Sequence, residues 1–388
     1  MKILFSSIVD LYKSPHYSRL HKFVEYMVEK HEVVVTSIND TWKGKKDNKA
    51  NDYREFADEI LKNIEYVYTT KRQISPIIQE ALSSFFLAEK IDYNEIDIHF
   101  NYNSMVLGNS VTRSMIKRKK PTIFDVADDL TEMVRTSPQI PNILKPIGYR
   151  YSKFFFNDNL KRSNIITYTT KSLAKSLNVP DTKLSFLSNG VDTNRFKPIK
   201  VDRETYGLKK ESMVVGFVGV LREWVDLSKP LLAFKKIREI DDNIEFLVVG
   251  GGPEYDYWCN FIKDNKILGV KMIGTIPYPL IPDYINLMDI CLIPFKDNLV
   301  SDNSLPLKLF EYLACDKIVI SSNITGIKDT IGDRVFYSSE IQDYIDIISG
   351  IDGKYERKTG NREFVVKNFE WKKICKNLEN IMTHLVGE

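Results

Sequence analysis

The sequence predicts an α/β protein made of two doubly wound domains, each a parallel sheet with helices on both faces. Three observations predict it. Short β-branched apolar runs alternate with helix-length amphipathic segments almost from end to end, the signature of βα units. The alternation lapses once, over 191–212, where Pro198 and a run of charges carry no clear period, and then restarts. The length, 388 residues, suits two domains at roughly 150 residues each.

In the first half the expected strands are 2–8, 32–38, 64–69, 96–102, 121–127, 164–169 and 184–188. The stretch 41–60 is the least strand-like, and its start reads as a surface loop. The second half runs through "MVVGFVGV" (213–220), "IEFLVVGG" (244–251), "VKMIG" (270–274), "DICLIPF" (289–295), "KIVISS" (317–322) and "RVFYS" (334–338), with a helix expected between each pair. The domains are placed at 1–195 and 205–365, with 191–212 as the linker region. The C-terminal "NREFVVKNFEWKKICKNLENIMTHL" reads as helices broken at Phe369 and Trp371.

Charge is nearly balanced, 55 Lys and Arg against 52 Asp and Glu, which gives no reason to expect nucleic acid as a partner. Cys259, Cys291, Cys315 and Cys375 lack C-x-x-C spacing and two of them sit in apolar runs, so a reduced, cytoplasmic setting is expected. The start, "MKILFSSIVD", holds an apolar stretch too short for a signal peptide, and no run of about 18 apolar residues occurs.

The residues that suggest chemistry cluster in loops after strands, where doubly wound sheets bind ligands. In "SDNSLPLKLFEYLACDKIVISS" (301–322) a helix is expected to open with Ser304 in the cap region and Pro306 in the first helical position, leaving N–H groups pointing outward for an anion. Lys308 and Glu311, three apart, share a face. A first-turn lysine opposes the helix dipole, so a bound anion explains Lys308 better than helix stability does. The alternative is an ordinary amphipathic helix with both groups solvated. In "VVGGGPEYD" (248–256), Gly250, Gly251 and Gly252 let a backbone approach a ligand or simply form a tight turn. "GFVGVLREWVD" (216–226) puts Gly219 after the first strand of the second half, with Arg222 just beyond.

In the first half "SPHYSR" (14–19) offers His16 and Arg19 to an acceptor or a phosphate, or merely starts a solvated helix. "FDVADDL" (124–130) sets Asp125, Asp128 and Asp129 at a strand end. Carboxylates so close repel, so at least one should titrate high unless a cation or hydrogen bonds offset the charge, and the cap of the next helix would claim one. His99 reads as a core histidine, and no His, Cys and Asp set has metal-ligand spacing. "KPIGYRYSKFFFNDNLKR" (145–162) interleaves Lys145, Arg150, Lys153, Lys161 and Arg162 with five aromatic residues. It is either an interfacial helix on an anionic membrane surface or a helix with an aromatic core face.

Four stretches in this order and spacing, "LSNGVDTNRFKP" (187–198), "VVGGGP", "MIGTIPYPLIPDYINLMDICLIPF" (272–295) and "LPLKLFEYLACDKIVISS" (305–322), resemble the retaining glycosyltransferases of family 4, which have the GT-B fold. The "EWVD" stretch together with the "P-x-K-x-F-E-Y-L-A" helix (306–314) is similar to bacterial teichuronic-acid and exopolysaccharide sugar transferases. The resemblance implies two Rossmann-like domains facing each other across a cleft, the acceptor on the first and a nucleotide-diphosphate sugar, UDP- or GDP-linked, on the second. It implies a C-terminal helix, 367–388, that packs back on the first domain. It also implies retention of anomeric configuration, no metal or cofactor, and an acceptor in cell-surface polysaccharide or glycolipid synthesis, lipid-linked or not, with the enzyme cytoplasmic or on the membrane's inner face.

By the same resemblance Glu311 binds the ribose hydroxyls, Ser304 and Leu305 lend N–H groups to the diphosphate, and Gly219, Gly251 and Ile276 complete the donor contacts. Lys308 and Arg222 carry the charge of the departing diphosphate; in the less well marked first half the candidates are Asp128 and Asp129 for an assisting carboxylate and His16, Arg19 and Asp125 for the acceptor. The family's paired glutamates stand eight apart, and eight before Glu311 is Asn303, so an amide or the adjacent Asp302 must meet the donor sugar. Asp226 stands where the family often has a lysine. A nucleotide-sugar epimerase of the same fold and a non-catalytic sugar-binding protein are the rival readings.

Overall fold

A computed structural model describes residues 1–13, 18–39, 61–71, 74–86, 91–136, 140–351 and 360–387. His16 and the stretch 41–60 lie outside the described residues. The chain divides into two compact units, 1–188 with 371–388, and 189–370. Residues 191–212, expected as a linker, belong to the second unit. Val191, Phe196 and Leu208 are buried in its core, and Arg203 grips the Asp289 carboxylate through bonds of 2.8 and 2.7 Å. The stretch looked structureless because its anchors are widely spaced single residues rather than a periodic run.

The first unit holds β1 (Lys2–Ser7), β2 (Glu32–Ser37), β3 (Glu65–Tyr68), β4 (Ile98–Tyr102), β5 (Thr122–Val126), β6 (Ile165–Tyr168) and β7 (Leu184–Phe186) in the parallel order β3-β2-β1-β4-β5-β6-β7. In its centre Ile3 stands opposite Val33 on one side and Ile98 on the other. The helix Trp371–Gly387 completes this unit. The Trp371 ring meets Phe23 edge-on at 6.0 Å, and Glu379 accepts hydrogen bonds from Tyr26 at 2.9 Å and His31 at 3.1 Å. His99 is a core residue, hydrogen-bonded with Ser6 at 2.8 Å, and burial pushes its imidazole down to about 3.

The second unit repeats the winding with β8 (Met213–Val218), β9 (Ile244–Val249), β10 (Val270–Gly274), β11 (Ile290–Ile293), β12 (Ile318–Ser322) and β13 (Phe336–Ser338), ordered β10-β9-β8-β11-β12-β13. Along β8, Val214 and Val218 join one apolar cluster while Val215 and Phe217 join another. Both faces are therefore covered, which is why these strands read as unbroken apolar runs. Strand order reverses between β8 and β11, so the loops leaving their carboxyl ends flank the natural ligand crevice of this sheet.

Candidate functional site

The loops after β8 and β9 are fastened to each other. The Gly219 N–H donates to Val249 and the Leu221 N–H to Gly251, both at 2.8 Å. A side chain on Gly250 would strike the Gly219 carbonyl, one on Gly252 the Leu221 carbonyl, and one on Gly251 the Thr275 hydroxyl. The glycine run, expected to admit a ligand, is thus accounted for by close packing among neighbouring loops.

The helix Leu307–Ala314 is held against the end of β8 by Tyr312, whose buried hydroxyl accepts from the Val218 N–H at 2.9 Å and donates to the Val218 carbonyl at 3.2 Å. Leu309, Phe310 and Leu313 fill the core beside it. Pro306 is the N-cap, one position before the first helical residue it was expected to be, since its φ of −69° suits both places but its ψ of 140° is extended.

That anchoring fixes Lys308 and Glu311 in a partly exposed position. The Lys308 ammonium lies 3.9 Å from the centroid of the Phe217 ring and 5.8 Å from that of Phe295. It also fills the space where a Cβ on Gly219 would project, and Gly219 has φ +145°. Burial pushes the Lys308 amine down to about 7, with Glu311 pulling the other way; burial pushes the Glu311 carboxyl up to about 7 against Lys308 and Arg195. Among the described residues neither side chain has a hydrogen-bond or ion-pair partner. Two opposite charges, both desolvated, keep their hydrogen-bonding capacity for something else, and an anion on Lys308 with hydroxyls on Glu311 satisfies both. Arg195, stacked 5.0 Å over Tyr278, adds positive potential. It was not singled out in the sequence because no helical or strand spacing connects it to Glu311.

The remaining expected donor residues fall into place unevenly. The Ser304 N–H donates to Ser301 at 3.0 Å, so it is not offered to a diphosphate as expected; the chain turns tightly there and uses the donor itself. Leu305 is buried, its carbonyl accepting from Asn189 at 2.5 Å. The Asp302 carboxylate accepts the Thr325 N–H at 2.9 Å, and Asn303 beside it is partly exposed. Ile276 packs against the core, and Arg222 lies 5.7 Å from the Trp224 ring with burial lowering its pKa. A separate cavity of about 210 Å³ beyond β11 to β13 has neither Lys308 nor Glu311 in its wall. Of its charged groups Asp226, Lys229, Asp302 and Glu340 are bonded within the protein and Lys296 and Asp297 are exposed, whereas Lys308 and Glu311 are desolvated and, among the described residues, unbonded, which makes their face the stronger candidate.

Residues 198–350 match the family model Glycosyl transferases group 1. The second unit carries a glycosyl transferases group 1 domain. The chain is 27% identical over 200 residues to TuaH of Bacillus subtilis (strain 168), named as a teichuronic acid biosynthesis glycosyltransferase. That alignment covers 50% of this chain and 49% of TuaH, so the chain spans about half the length of this relative. Anabaena Alr3699/HepE, solved in complex with UDP and glucose, superposes with a TM-score of 0.71 at 15% identity over 99% of both chains. Sucrose-phosphate synthase from Thermosynechococcus elongatus gives 0.75 at 12% identity over 100% of this chain and 99% of that one. At such identities the likeness is one of fold, and it is the GT-B fold expected from the sequence.

Outside the group 1 domain the expected acceptor residues are mostly structural. Arg19 and Asp125 are 2% and 0% exposed and paired at 2.9 Å, with Arg19 also donating to the Ser188 carbonyl at 2.6 Å and Thr167 donating to Asp125 at 2.6 Å. They brace the first unit, contrary to the expectation that they hold the acceptor. Asp129 is also taken, because one of its oxygens accepts the N–H groups of Thr131 and Glu132 and caps the helix Leu130–Thr136. Asp128 alone of the three is exposed. Desolvation first, and then Asp125 and Asp129, push its carboxyl up to about 6 against the pull of Arg19.

Proposed function

We propose that this protein transfers a sugar from a nucleotide-diphosphate sugar, UDP- or GDP-linked, to a saccharide acceptor, with retention of configuration and without a metal. The observation that carries the reading is the desolvated Lys308 and Glu311 pair on a helix latched to β8. The group 1 domain and the UDP and glucose bound by HepE support a nucleotide-sugar donor. The name of TuaH supports an acceptor in cell-surface polysaccharide synthesis.

In this reading Lys308 takes the diphosphate and Glu311 accepts from two ribose hydroxyls. An arriving anion restores full charge to a lysine whose burial otherwise favours the neutral amine. As the sugar–phosphate bond breaks, negative charge grows on the diphosphate, and the ammonium stabilises it where it develops, with Arg195, whose charge reaches Glu311, adding to the positive potential and Arg222 a further candidate in the same unit. Asn303, which both donates and accepts, meets the donor sugar. In the first unit, Asp128 is the group best suited to an acceptor hydroxyl.

Calorimetric titration with UDP, GDP, UDP-glucose and GDP-mannose tests the donor site. One nucleotide series should bind, and Glu311→Gln should weaken it by about ten- to a hundredfold, the worth of hydrogen bonds to a charged acceptor, with the free protein's melting unchanged. Equal affinity in wild type and variant would remove the assignment. Product anomer, read by NMR, tests retention.

A further inference from the structure

The helix Lys145–Arg162 turns Ser152, Phe156, Asn159 and Leu160 into the first unit, where Phe156 packs edge-on against Phe124 at 5.5 Å. An aromatic core face therefore accounts for only part of it. Ile143, Ile147, Tyr151 and Phe154, spaced four, four and three apart, form a stripe that is 84, 67, 43 and 60% exposed. The Tyr151 hydroxyl donates to the Ala81 carbonyl at 2.9 Å. That bond joins the stripe to the helix Pro76–Phe86, on which Ile77, Ile78 and Leu82 are exposed as well. Soluble proteins rarely leave so many large apolar side chains together in water. Arg150 and Lys153, also exposed, stand within one turn of Ile147 and Phe154.

We propose that this face docks on an anionic lipid surface, with the apolar stripe entering the headgroup boundary and the two cations reaching the lipid phosphates. Charge decides the occupant. Across a two-fold axis a second copy would bring Arg150 and Lys153 towards their own images, and like charges there oppose association. An anionic membrane supplies the opposite charge beside a hydrocarbon layer, which is the combination this face presents. No helix among the described residues is long and apolar enough to cross a membrane, so the contact is with one surface. The inference does not rest on the sugar-transfer reading, and it can fail while nucleotide binding stands.

Flotation of the full chain with phosphatidylglycerol-containing and with pure phosphatidylcholine vesicles tests it. The wild type should float with the anionic vesicles at low salt and much less at high salt. Arg150→Glu with Lys153→Glu should lower partitioning at least tenfold, from about fivefold for each basic residue. Ile147→Ser with Phe154→Ser should lower it as much, while circular dichroism and melting stay unchanged because all four side chains are exposed. Wild type that ignores anionic vesicles, variants that float as well as wild type, or a dimer in light scattering that Phe154→Ser dissolves would each overturn the proposal.

Discussion

Changing Tyr312 to Phe removes one oxygen from beneath the proposed donor site and nothing else. The ring keeps its apolar neighbours, but Val218 loses the partner of its N–H and one partner of its carbonyl in a place where Tyr312 is 0% exposed. An unmet buried donor costs about 1–3 kcal/mol and the lost carbonyl bond adds about 1, so the expected loss is roughly 2–4 kcal/mol. The second unit spans residues 189–370, a size at which each kcal/mol shifts the melting temperature by about 2–4 °C. Scanning calorimetry should therefore show its transition lowered by roughly 4–16 °C. Because the same hydroxyl sets the helix against β8, nucleotide affinity should fall too, through displacement of Lys308 from beside Phe217. A shift under about 1 °C would show that the hydroxyl is not the latch.

Gly219→Ala should abolish nucleotide binding in calorimetry, because the new methyl takes the place of the Lys308 ammonium and φ of +145° disfavours any side chain; wild-type affinity would mean that Lys308 is not held there. Asp125→Ala should cost about 3–5 kcal/mol in urea unfolding of the first unit by leaving Arg19 as a buried charge without its carboxylate. Normal stability with weakened acceptor binding would instead return the pair to an acceptor role. Desolvation raises the Glu379 carboxyl, but hydrogen bonds from Lys376, Tyr26 and His31 and the charge of Lys30 outweigh it and hold the group down to about 2. Its contribution is therefore full above about pH 4.3, the unfolded value, and is lost as pH falls towards 2. Trp371 fluorescence should report release of the C-terminal helix over that window in wild type and a shallower acid profile in Glu379→Gln.

All thirteen strands were legible, within a residue or two, because parallel sheets covered on both faces leave continuous apolar runs. Lys308 and Glu311 were legible because one helical turn is enough to place them together. Arg19 and Asp125 were not, since 106 positions separate them and no spacing rule pairs a helix start with a distant strand. The glycines after β9 were visible as glycines, but the sequence does not say whose backbone comes close, and it proved to be mainly that of the loop after β8. Of the three aspartates, the cap expected among them is Asp129, a choice made by where the helix begins.

The helix Trp371–Gly387 belongs to the first unit, yet it is synthesised after the whole of the second. Of the two units, the one that starts earlier in the sequence is therefore the later to be complete. At about 5–20 residues per second, roughly ten to forty seconds pass between the end of β7 and the arrival of Trp371. During that time the Phe23 face of the first unit lacks the Trp371 ring that covers it, while the second unit, continuous in sequence, has all it needs to close its own sheet. The earlier unit in the sequence thus depends on residues 371–388, made after the other unit, for a finished core.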